Sequence, residues 1–122
     1  MRYGKNTVAV EAVIAEVASW TAAEFGIAGE AYREVRDEAL GAALGAALSA
    51  ADGAERYAAW GEARKAARQA AWKAAGQPPG GTVWDSAHDA VLSAFASDLI
   101  SVEHKKVLNV GIDAVREHRR KK

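Results

Sequence analysis

Apolar positions recur at helical rather than strand spacing along most of the chain. Val10, Val13, Ile14, Val17 and Trp20 follow the i, i+3, i+4, i+7 rhythm of one helix face. They predict a first helix from about Thr7 to Phe25, with Gly26 suited to the left-handed position that closes a helix. A second helix is expected from about Glu30, where Glu30, Glu34, Asp37 and Glu38 favour its N-terminal half through the helix dipole. Gly53 is expected to close it. The alanine-rich stretch from about Ala54 to Ala75 predicts a third helix, ended by Gly76 and kept from resuming by Pro78 and Pro79. Trp84, Val91, Phe95, Leu99 and Val102 form the stripe of a fourth. Val107, Leu108, Ile112 and Val115 share a face further on, either in its continuation or in a fifth helix beginning near Ser101.

No stretch alternates apolar and polar residues as a half-buried strand does. The expected fold class is all-α: a compact bundle of four to five helices packed through alanine and glycine rows. The 122 residues suit a single helical domain. About 41 residues follow "GQPPGG", near the lower limit for independent folding, and their long apolar stripe needs a partner. Residues 76–81 are therefore expected to be an inter-helix turn, and 117–122 a basic tail.

Composition limits the core. Hydrophobic residues are 50% of the chain, but about half of them are alanine, which buries little area. Close helix approach, or a homodimer, would supply the missing burial. Cysteine is absent, which removes disulfides, thiolate catalysis and sulfur-ligated zinc from the chemistry of these residues. Glu11 interrupts the apolar run near the N-terminus, and "ALGAALGAALSAA" is shorter than the ~20 residues of a membrane helix. The expectation is a cytoplasmic protein with no membrane partner.

Sixteen basic and sixteen acidic residues cancel, so no global field draws nucleic acid to the protein. The charges are unevenly placed, however: "EAYREVRDEA" is acidic, while "RYAAWGEARKAARQAAWKAA" and "REHRRKK" are basic. Pairing between neighbouring helices of opposite sign is the leading expectation.

Four constellations could carry function. Gly41 and Gly45 form a small-residue row continued by Ser49 and flanked by Leu44 and Leu48. Helix-interior glycine costs about 0.5–1 kcal/mol relative to alanine, which close approach of another backbone would offset. That backbone is expected in the same chain first, in a second copy otherwise. Lys65, Arg68 and Trp72 share one face of the third helix, with Arg68 spaced to lie on the Trp72 ring. With Arg119 and Arg120 of the tail, this face could hold phosphates and stack a base, or anchor an acidic protein. The plainer alternative packs Trp72 beneath the fourth helix or the loop.

"TAAEFGIAGEAYREV" resembles a helix-turn-helix, with Ala22 before the turn, Gly26 in it, and Ile27, Tyr32 and Val35 after it. Glu30, Glu34 and Asp37 would repel phosphates there. The pair His88–Asp89 resembles the metal-binding dipeptide of the HD phosphohydrolases, a family that also needs an upstream histidine. The histidines here are His88, His104 and His118, so that partner is missing. Near Trp84 and Leu92, His88 is expected as a core or interface histidine. No catalytic, cofactor-binding or metal residues are assigned, although carboxylates such as Glu16 and Glu24 could meet others in space. The leading expectation is a small non-catalytic interaction protein that self-associates or docks on a protein partner. The alternative is a nucleic-acid-associated protein using the basic face of the third helix and the basic tail.

Overall fold

The sequence Thr21-Ala-Ala-Glu24 divides the first expected helix in two. The Thr21 hydroxyl accepts from the Glu24 amide at 3.2 Å, and Glu24 Oε1 accepts from the Thr21 amide at 2.9 Å. This reciprocal capping box satisfies two amides that a helix start leaves open. In the computed structural model, which describes residues 2–35, 37–49, 53–76 and 81–121, α1 (Thr7–Ala18) therefore stops before the box. The next helix, α2 (Ala22–Arg33), begins directly after it. Trp20 fills the corner, buried and edge-on to Phe25 with ring centroids 5.0 Å apart. Gly26 is an exposed residue inside α2 and closes no helix. That also removes the helix-turn-helix, whose turn would have to be centred on it.

The rest follows as α3 (Asp37–Ser49), α4 (Ala54–Ala75), α5 (Gly81–Phe95), α6 (Val102–Leu108) and α7 (Val110–Arg120), with a short 3-10 turn at Gly4–Asn6 before α1. The protein is all-helical among the described residues, but with seven α-helices in place of the four or five expected. Local caps explain the excess. Ser101 accepts from the His104 amide at 3.1 Å and opens α6, just as Thr21 opens α2. Gly53, at φ +97°, stands at the start of α4. Gly76, at φ +73°, takes the left-handed C-cap, its amide donating to the Trp72 carbonyl at 2.9 Å. Residues 77–80 of the expected turn, and Lys122 of the expected tail, lie outside the described residues.

The fold is organised around α5. From Trp84 to Ala96 this segment is buried on nearly every side, with Leu92 and Val91 fully enclosed. A helix with so few charged positions is covered all round rather than on one stripe. Helices α1, α2, α4, α6 and α7 all pack against it, and α3 lies mainly on α6. Alanines make close contact affordable to the helix backbones: Ala63, Ala67 and Ala71 of α4 are buried, as are Ala87, Ala90 and Ala94 of α5. One continuous apolar cluster takes in residues from Tyr3 to Val115.

The glycine in a tight crossing is Gly111. A methyl group there would lie 2.7 Å from the Ser86 Cβ and 3.2 Å from the Ala28 carbonyl oxygen. It lets α7 rest on the seam between α2 and α5. At Gly41 and Gly45, by contrast, a methyl group would meet no described atom within 4 Å. Among the described residues the expected intrachain contact along that row is not formed, because α3 turns Ala43 and Ala47 inward and this row outward.

Candidate interaction surfaces

Burial sorts the functional candidates into an interior cluster, a terminal latch and two open helix faces. The interior cluster is built on α5. The Tyr32 hydroxyl, brought in by α2, donates to Asp89 Oδ2 at 2.6 Å, and His88 Nδ1 lies 2.8 Å from Asp89 Oδ1. His88 is held edge-on between Trp60 and Trp84, with centroids 5.3 and 5.6 Å away. Burial and the Asp89 carboxyl push the Tyr32 phenol well above its ordinary pKa, so it remains a donor. Desolvation, then Asp89, raises Asp85 as well, against the opposing pull of His88. Among the described residues no three His, Asp or Glu side chains converge as a metal site would require. The arrangement ties α2 to α5 and fixes the His88 ring. Tyr32→Phe is expected to cost about 1–2 kcal/mol by leaving Asp89 short of a donor, read in urea melts.

The C-terminal basic residues form a latch. Arg119 donates to both oxygens of Glu24, at 2.6 and 2.9 Å, and to the Ser19 carbonyl at 3.2 Å. Arg116 makes the same two-pronged contact with Glu16, at 2.9 Å on each side. Arg120, and Lys121 just beyond the end of α7, pair with Glu117. Arg119 and Arg120, expected in a basic tail, instead lie in α7 and are engaged by acids. Glu16 and Glu24 meet arginines rather than other carboxylates. Opposite charges do pair between elements here, but through Glu16 and Glu24; among the described residues neither the acidic stretch from Glu30 to Glu38 nor the basic charges of α4 take part.

The basic charges of α4 behave differently. Arg64, Lys65 and Arg68 are exposed and have no ion-pair partner among the described residues. Trp72 is 51% exposed, so it is not buried beneath α5; the loop at 77–80, the other cover expected for it, lies outside the described residues. Arg68 stacks on Trp84, 5.6 Å from the ring centroid, instead of on Trp72. It covers the outer edge of the α4–α5 seam. Tyr57, 73% exposed, stands one turn before Gly61 on the same side of α4. Neither Tyr57 nor Arg64 was among the sequence candidates, although both fall at i, i+4, i+7 spacing with Gly61.

On α3, the row Gly41, Gly45 and Ser49 faces outward beside Leu48, which is 46% exposed, while Leu44 is half-buried against the core. No charged residue occurs between Leu40 and Ser49. Leu99 and Val102, both more than half exposed, lie at the entry to α6, the helix on which α3 packs. Between the 3-10 turn and α4, a cleft of about 230 Å³ is lined by Lys5, Arg56, Phe95 and Asp98, but its Lys5 and Asp98 side chains pair with each other at 3.2 Å. Comparison with protein-family models, with curated proteins and with solved structures finds no match for this chain.

Proposed function

We propose that the protein is a non-catalytic helical interaction module that associates through the outer face of α3, in the first place with a second copy of itself. The observation that carries this reading is the open, uncharged run from Gly41 to Ser49, where a methyl group on either glycine would meet no described atom of another element within 4 Å and Leu48 stands half-exposed. Two interior glycines weaken a helix by about 0.5–1 kcal/mol each. No contact with the described residues of the chain offsets that loss here. A second helix laid along the row would gain close backbone approach and cover Leu48. One helix face is small beside the ~800 Å² per partner of a standard interface, so the association is expected to be weak and concentration-dependent.

Sedimentation equilibrium over the micromolar range tests the reading. The mass should rise from one chain towards two with concentration, and Leu48→Glu should return it to one chain without lowering the melting temperature of the dilute protein. A single-chain mass at every concentration would overturn self-association. In the dilute protein, Gly45→Ala should stabilise the helix by about 0.5–1 kcal/mol, because the position is open within the chain.

A further inference from the structure

We propose that the outer face of α4 is a binding site for single-stranded nucleic acid, separate from the association face of α3. Tyr57, Gly61, Arg64, Lys65, Arg68 and Trp72 recur at i, i+4, i+7, i+8, i+11 and i+15 along this helix. That spacing places them on one side and spreads them over about 22 Å at the rise of an α-helix. All six are exposed. Gly61, Arg64, Lys65 and Arg68 line a shallow open depression, and a methyl group at Gly61 would meet no described atom within 4 Å. The depression is therefore open to an extended chain.

The charge and the rings choose the occupant. The three cations have no acidic partner among the described residues, and Glu55 and Glu62 fall to one side of the stripe. Such a row attracts a polyanion locally although the whole protein carries no net charge. Exposed aromatic side chains stand at both ends, Tyr57 and Trp72. Bases stack on such rings whatever their identity, because every base has a π-face, while the cations between hold phosphates. A duplex keeps its base faces inside the stack and gives the rings nothing to cover. A run of acidic residues would satisfy the cations but offers Tyr57 and Trp72 no ring to stack on, whereas every nucleotide supplies both a phosphate and a π-face.

The test is fluorescence anisotropy of the full chain with a labelled oligothymidine of about 20 nucleotides, longer than most single-strand sites. Three phosphates neutralised give a slope of about −2 in log affinity against log salt, hence roughly a twenty-fold loss between about 50 and 200 mM salt. Lys65→Ala should lower the slope by about 0.7, the share of one phosphate. Trp72→Ala and Tyr57→Ala should each weaken binding about ten-fold at every salt concentration and leave the slope unchanged. All three positions are exposed, so the variants should melt with the parent protein. No binding at about 50 mM salt, or duplex bound as tightly as the single strand, would overturn the proposal. Affinity that is indifferent to both aromatic residues, or polyglutamate bound equally well, would overturn it in favour of an acidic protein partner.

Discussion

Gly111→Ala lowers stability by about 1–2 kcal/mol, and Gly111→Val by about 3 kcal/mol, although both residues normally suit a helix better or nearly as well as glycine does. Alanine at an open helix position gains about 0.5–1 kcal/mol over glycine. Here the new methyl group would sit 2.7 Å from the Ser86 Cβ, 3.2 Å from the Ala28 carbonyl oxygen and 3.4 Å from the Ala28 Cβ. Carbon atoms pack favourably at about 3.5–4.0 Å, so the first contact is deep in the repulsive region. None of these atoms is the free end of a flexible side chain. Relief requires α7 to lift from α2 and α5, which would also stretch the Arg119–Glu24 contact. Overpacking of about 1–3 kcal/mol therefore exceeds the gain in propensity.

Thermal and urea melts give the answer. At about 4 °C per kcal/mol for a chain of this size, Gly111→Ala should melt several degrees below the parent. Gly41→Ala, at an open site, should move the other way. Ser86→Gly removes the atom nearest the new methyl group, so the double variant Ser86→Gly/Gly111→Ala should lose less than the two single losses added. A Gly111→Ala protein more stable than the parent would show that α7 does not cross α2 and α5 this closely.

The second large effect lies at Glu24. The residue is only 4% exposed, and its carboxylate accepts from Arg119 twice and from the Thr21 amide once. The Arg119 guanidinium first, and the Thr21 amide next, hold its pKa at about 2, well below the ordinary 4.5, against the opposing effect of burial. A carboxyl group whose pKa is lower in the folded state stabilises the protein fully above its unfolded value. That stability is lost as pH falls towards the folded value. The window for Glu24 is therefore from about pH 4.5 down to about pH 2. Burial of the carboxylate makes Arg119→Ala costly, at about 2–3 kcal/mol near neutral pH, because a nearly enclosed charge loses its counter-ion. The guanidinium is itself 39% exposed, which keeps the loss below that of a fully buried pair.

Glu24→Gln retains a capping oxygen and removes the charge. It should cost less than Arg119→Ala and flatten the acid limb of the stability curve. The limb should not vanish, because Asp98 is also held low, by Asn6 first and by Lys5. Urea midpoints measured from neutral pH to about pH 2 test this directly. Parallel acid limbs for the parent and Glu24→Gln would remove Glu24 from the acid response. Losses that simply add in the Glu24→Gln/Arg119→Met double variant would show that the two side chains do not act as a pair.

Much of the local structure was legible from neighbouring residues alone. The helical class, the bounds of α4 and its end at Gly76 depend on propensity and caps, decided within a few positions, whereas the start of a helix at Ser101 was one of two readings the local pattern left open. The Thr21–Glu24 box was equally local and was written in the chain, yet the apolar stripe running on through Trp20 and Phe25 concealed it. A stripe records which side chains are buried, and burial can continue around a corner.

What each helix touches was decided by the tertiary structure. Gly41, Gly45 and Gly111 all sit in helices beside apolar residues, and nothing nearby in the chain distinguishes an open glycine from one pressed against another backbone. The difference is whether α5 and α2 lie beside it, which they do only for Gly111. Likewise Arg119 and Lys65 look alike as basic residues on helices. Arg119 became a latch because Glu24, 95 positions away, is brought within 2.6 Å, whereas no described acid reaches Lys65. Propensity and capping act over a few residues, so a sequence determines them directly. Packing space and charge pairing depend on distances between remote segments, and those distances exist only once the chain has folded.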